Sequence, residues 1–178
     1  MYNYLLKLPI VEYILVFSAV YRSQVVAMSS QRDSGIKIGT KIIDSHLHIW
    51  DGTKQAFAEG QTPPDTLEVG VASVEELMKR MEEANVSGCL IVQPINYKYD
   101  HSYVGDVIAE HPDKFKGMLL YDPMCDKEES LKNLEELLLQ GFVSVRFNPY
   151  LFEGKMSDEG SAGLDIYKKC GELNMPVG

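Results

Sequence analysis

The 178 residues are enough for one domain with a real core. With 45% hydrophobic and 24% charged residues the composition is that of an ordinary globular protein. A formal net charge of -9 argues against nucleic acid as a partner, since phosphate binding needs a basic surface. A small anionic substrate remains compatible, because one local Arg can hold a carboxylate on an acidic background.

Residues 1–40 read as an N-terminal extension. The apolar run Tyr13–Tyr21, bracketed by Glu12 and Arg22, is shorter than the ~20 apolar residues that span a bilayer. A secretory leader, an organellar transit segment and a plain upstream extension with Met28 as the ordinary start all fit it. The expectation is that residues 1 to about 35 are disordered or removed. A cytoplasmic or organellar location is favoured over secretion, and the three widely spaced cysteines (Cys89, Cys125, Cys170) fit reduced thiols.

From Lys41 onward the pattern is regular. Residues 41–49 are β-rich and predict a strand; residues 50–70, with Pro63, Pro64 and several glycines, predict a long loop. Ser73 and Glu76 have the spacing of a capping box, and Val74, Leu77, Met78 and Met81 form one apolar helical face. Cys89–Val92 predicts a buried strand, with Cys89 in the core. Residues 102–110 predict a helix stopped by Pro112, with His101 and His111 at its flanks expected on the surface. Phe115–Tyr121 predicts the next strand. Asp126 and Glu129 repeat the capping spacing before a leucine stripe at 131, 134, 137 and 138, and Gly141 suits a left-handed end. Phe142–Phe147 predicts a fourth strand, residues 164–173 a fourth helix, and Met175–Val177 the opening of a fifth strand.

This β-α alternation implies a parallel sheet with right-handed crossovers. An open doubly wound sheet and the N-terminal half of a TIM-type (β/α) barrel both fit. A full barrel takes about 250 residues, so four to five βα units make about half of one.

The sharpest chemical signal is His46 and His48. Residues i and i+2 of a strand share a face, so both imidazoles project together near its C-terminal end. Such a pair can hold one divalent ion, or it can be two satisfied core histidines. Other polar groups close the later strands: Gln93 the second, Tyr121 and Asp122 the third, Arg146 and Asn148 the fourth. In parallel α/β folds, binding groups gather at strand C-terminal ends. Arg146 is the most suggestive, because a buried guanidinium needs an anion, either a substrate carboxylate or a structural Asp. Tyr97, Tyr99 and Tyr103 either wall a pocket or simply pack. No GxGxxG, Walker A or GxSxG motif is present.

Residues 42–50 (IIDSHLHIW) resemble the first strand of the amidohydrolase superfamily, and the Trp after HxH resembles its amidohydrolase-2, lactonase-like branch. Residues 92–94 (VQP), 111–117 (HPDKFKG) with Asp122 and Pro123, and 141–148 (GFVSVRFN) resemble the same branch in the same order. The resemblance runs from about Lys41 to Gly178. It implies a distorted (β/α) barrel domain over residues 41–178 that hydrolyses a lactone, ester or amide. His46 and His48 would be metal ligands, zinc first, although the branch includes lactonases that need no tightly held metal. Substrate binding would fall to Arg146, Asn148, Gln93 and Tyr121, the substrate being a small molecule such as a carboxylate-bearing lactone. The resemblance places the catalytic Asp beyond Gly178, so no catalytic residue is assigned in this chain and a truncated form is expected. Two alternatives stand beside this: an inactive isoform that associates with a full-length partner or with itself, and an HxH-type phosphoesterase.

Overall fold

The structure, a computed structural model, describes residues 14–15, 41–62, 72–156, 158 and 161–178. Its parallel sheet runs β1 (Ile14–Leu15), β2 (Ile42–Leu47), β3 (Gly88–Val92), β4 (Phe115–Leu120) and β5 (Phe142–Arg146), each strand hydrogen-bonded to the next in chain order. Helices α1 (Val74–Ala84), α2 (Ser102–Glu110) and α3 (Lys127–Leu139) make the crossovers, and α4 (Ala162–Glu172) follows β5. Val177 bridges in parallel to Val145, where the sequence predicts a further strand. This is the strand order of a partial (β/α) barrel. Apart from the two residues of β1, which pair with Ile42 and Ile43, the expectations for residues 1–40 lie outside the described residues, as does the loop from 63 to 71.

Local chemistry accounts for the helix boundaries. The Ser73 hydroxyl accepts the Glu76 N–H and the Asp126 carboxylate accepts the Glu129 N–H, so both capping boxes read in the sequence start helices. Helix α1 stops at Asn85, in the left-handed region at φ 57°. Gly141, at φ +96°, turns the chain from α3 into β5. The helix-side core is built on Ile91, Phe115, Phe142, Val145, Ile108 and Ile166, all essentially inaccessible. Gly117 belongs to that face: a Cβ there would strike the Phe142 ring and come within 2.9 Å of Ile108.

Two irregularities decide where side chains point. The register of β2 against β3 slips between Asp44 and Leu47, and that of β5 against β4 slips between Phe142 and Ser144. Each is one extra residue on one strand, which flips the alternation beyond it. In β2 the Asp44 carboxylate fills the gap by accepting the His46 N–H at 3.0 Å. Beyond the slip in β5, Val145 pairs with Leu119 and Arg146 with Leu120, so Arg146 lies on the face opposite the helix-side Val145.

His101 corrects a sequence expectation. It is not a surface residue but 8% exposed. Its Nδ1 donates to Tyr99 O at 2.8 Å and its Nε2 accepts the Leu120 N–H at 3.0 Å, with the ring edge-on to Phe142. Both ring nitrogens serve backbone groups, which makes burial affordable for a polar side chain.

Candidate active site at the strand C-terminal ends

His46 and His48 stand on one face at the end of β2, their ring centroids 5.2 Å apart and nearly perpendicular. His46 is exposed. His48 is half-buried, and its Nδ1 lies 2.7 Å from the carbonyl of Val92 at the end of β3. That bond makes Nδ1 the donor and leaves the Nε2 lone pair free for a ligand. Burial pushes the His48 pKa down to about 4, and the charge of Arg146 adds to the shift, so the ring is neutral at pH 7. Burial likewise raises the Asp44 carboxyl above its usual range.

Arg146 stands at the end of β5, three strands along the sheet from β2. Its Nη1 lies 3.5 Å from the carbonyl of Gln93, across the end of β4, and it is near enough to His48 to act on its ionisation. Burial lowers its pKa, and nothing offsets that shift. Among the described residues no carboxylate lies within ion-pair distance of it. The strand ends thus carry a neutral imidazole, a second, exposed imidazole and a half-buried cation with no counter-ion among the described residues.

The remaining sequence candidates are placed elsewhere. The Gln93 side chain is fully buried and its amide donates to Lys98 O (3.1 Å) and Asp100 O (2.7 Å), which fastens the β3–α2 loop. Asn148 accepts the Tyr150 N–H and caps the short turn Pro149–Leu151. Tyr121 packs between Phe147 and Phe152 and faces the helix layer. Of the sequence candidates, His46 and His48 share one face, and Arg146 bonds the carbonyl of Gln93, next to the Val92 carbonyl that holds His48.

Trp50 is the site residue that strand-end polarity does not reveal. It follows His48 by two positions, the spacing that carries a face onward, and its ring lies 5.4 Å from that of His48. The indole N–H donates to Asn96 Oδ1 at 3.0 Å, and the same Asn96 amide donates to Thr62 O. The next residue, Tyr97, accepts the Asp51 N–H at 2.7 Å and stacks on Phe57. The described part of the β2–α1 loop, residues 50–62, is thus pinned to the β3–α2 turn, with Trp50 beside His48.

The sequence profile of the amidohydrolase family, in its second branch, matches residues 43–178. The chain belongs to this family. Among solved structures it is similar to a probable 2-pyrone-4,6-dicarboxylic acid hydrolase of Acinetobacter baumannii with citric acid bound: TM-score 0.60, 23% identity, 76% of this chain and 47% of that one. It is also similar to an uncharacterised TIM-barrel protein of Bordetella bronchiseptica: TM-score 0.56, 20% identity, 77% of this chain and 54% of that one. At such identities the likeness establishes the fold, a partial TIM barrel. The chain spans about half the length of these structures. No curated protein sequence matches it. In a TIM-barrel amidohydrolase the strand C-terminal ends are the expected place for the site, and His46, His48 and Arg146 all stand at such ends. No helix among the described residues is long and apolar enough to cross a membrane.

Proposed function

We propose that the chain contributes to the site of a metal-assisted hydrolase acting on a lactone or ester that bears a carboxylate. The observation that carries this reading is Arg146: a half-buried guanidinium, unpaired among the described residues, beside two histidines that share a face. A substrate carboxylate would satisfy it through two parallel hydrogen bonds. The citric acid held by the A. baumannii protein is a carboxylate ligand on the same fold, which fits this choice.

The donor set suits zinc. His48 is neutral, anchored through Nδ1 and free at Nε2, and His46 is accessible beside it. Among the described residues no group of three or more His, Cys, Asp or Glu is assembled, so the pair makes two ligands of a set. Bound zinc would lower the pKa of a coordinated water to about 7 and polarise the scissile carbonyl. Three further roles fall to residues of this chain. The Val92 carbonyl fixes the His48 ring, Trp50 closes one side and keeps bulk water from it, and Arg146 orients the substrate by its carboxylate.

The test is hydrolysis by the purified chain, with zinc, of a panel of carboxylated lactones beside phosphate monoesters. Turnover of the lactones, seen when the chain is supplemented with the C-terminal half of a longer relative and lost in His46→Ala, is the expected result. Turnover of phosphate esters would favour the phosphoesterase reading, and lactone turnover indifferent to His46→Ala would contradict the metal role. Absence of all turnover, with capture of a longer relative in a pull-down, would favour the non-catalytic reading.

A further inference from the structure

The end of β3 holds two of the candidate side chains through consecutive carbonyls. Val92 O accepts the His48 Nδ1–H at 2.7 Å, and Gln93 O accepts from Arg146 Nη1 at 3.5 Å. Whatever fixes these two peptide planes therefore bears on the imidazole and on the guanidinium at once. The first plane belongs to the sheet: its N–H, that of Gln93, donates to Met118 O on β4 at 2.9 Å. The second plane is different. It joins Gln93 to Pro94, and a proline nitrogen has no hydrogen to donate, so this peptide cannot be tied to a neighbouring strand through its nitrogen.

The Gln93 side chain supplies another tie. It is fully buried, and its Nε2 donates to two main-chain carbonyls beyond the proline, Asp100 O at 2.7 Å and Lys98 O at 3.1 Å. Two acceptors facing one group call for an NH2, which glutamine has and the similarly shaped glutamate and methionine lack. The same two carbonyls decide which end of the amide is the nitrogen. The loop held in this way is not relaxed by itself. Lys98 sits at φ 45° and ψ -120°, backbone that glycine adopts readily and a residue with a Cβ does not. The clamp also leaves Gln93 Oε1 buried with no hydrogen-bond partner among the described residues, which works against stability. An orphaned oxygen and a strained turn at one strand end are better explained by what that end holds than by stability alone.

We propose that Gln93 is a positioning residue of the candidate site: its clamp on Lys98 and Asp100 sets the strand end whose carbonyls hold His48 and Arg146, and so sets the zinc ligand and the carboxylate-binding cation together. The inference rests on the zinc and carboxylate roles proposed for those two residues. It replaces the substrate contact expected of Gln93 with a role exerted through two other side chains.

The experiment measures two affinities of the full chain, zinc by Trp50 fluorescence and citrate by calorimetry without metal. Gln93→Met keeps the length of the side chain and removes both donors. It should weaken zinc by about tenfold, the effect of losing a group that orients a metal-binding histidine, and citrate by about tenfold, the worth of one hydrogen bond. The joint loss is the signature, since His46→Ala should lower the zinc affinity alone and Arg146→Ala the citrate affinity alone. Ile166→Ala, a core substitution on α4, should lower the thermal midpoint and leave both affinities within about twofold of wild type, as expected of independent sites. A further readout needs no variant: the Gln93 side-chain amide protons of the wild type should exchange slowly with solvent and shift on titration with either zinc or citrate. Loss of one affinity or of neither in Gln93→Met, equal losses in Ile166→Ala, or Gln93 amide protons that answer to neither ligand would overturn the proposal and leave the two ligand roles standing. A wild-type chain that binds neither zinc nor citrate would overturn both.

Discussion

Acidification from pH 7 to pH 4 is expected to remove about 3 kcal/mol of stability through His101 alone. Burial holds this imidazole at a pKa of about 4, the Tyr99 and Asp100 groups beside it opposing the shift only in part, against an ordinary value of 6.5. Between those values the unfolded chain takes up a proton that the folded chain refuses, so stability falls as the pH drops through that window. The full contribution is present above pH 6.5 and is gone below about pH 4. The structural reason is specific: a proton on Nε2 would confront the Leu120 N–H that this nitrogen accepts. His48, also near 4, adds a loss of the same sign. His101→Ala should cost about 1–3 kcal/mol at pH 7, the price of an unsatisfied Leu120 N–H, and should flatten the profile below pH 6.5. Denaturant unfolding at pH 7, 5.5 and 4 measures both. An unchanged pH slope in the variant would show that His101 protonates freely in the fold.

Replacing Arg146 by alanine is expected to weaken binding of a carboxylate ligand by about 10- to 100-fold, one or two charge-assisted hydrogen bonds. The unfolding free energy should stay within about 1 kcal/mol of wild type. The two expectations belong together. Among the described residues the guanidinium makes one hydrogen bond, to Gln93 O, long at 3.5 Å, and is otherwise a desolvated charge, so the fold gains little from it. Arg146→Lys should fall between wild type and alanine, because it keeps the charge and loses the fork. Citrate, titrated without metal, serves as the carboxylate probe. A strongly destabilised variant with citrate binding intact would make Arg146 a structural residue.

Much of this fold is written locally. Ser73 and Asp126 announce their helices three residues ahead of Glu76 and Glu129, and the apolar stripes of α1 and α3 have one reading. The pair at His46 and His48 is equally legible, since strand alternation alone puts them on one face. The other strand-end residues show the limit of that reading. Polarity at a strand end does not say which face receives the side chain, and the slips in β2 and β5 shift the alternation by one. Arg146 thereby turns to the face opposite Val145, whereas Tyr121 packs with Phe147 in the helix layer and Gln93 turns to the Lys98 and Asp100 carbonyls. His101 misleads for a different reason. A polar residue before a helix reads as exposed, and its burial depends on carbonyl and amide partners at Tyr99 and Leu120, the latter nineteen positions away in sequence. Trp50 was within reach, as the third member of the 46, 48, 50 series, but its place beside His48 depends on Asn96 in another loop.

The proposed reaction requires His46 and His48 to bind one metal ion together. Trp50, the one tryptophan of the chain, lies 5.4 Å from His48 and reports on it directly. Zinc titration followed by Trp50 fluorescence is therefore the most direct measurement. A saturable change at one zinc per chain, lost in both His46→Ala and His48→Ala, is the expected result. No change in the wild type, or the same change in His46→Ala, would contradict it.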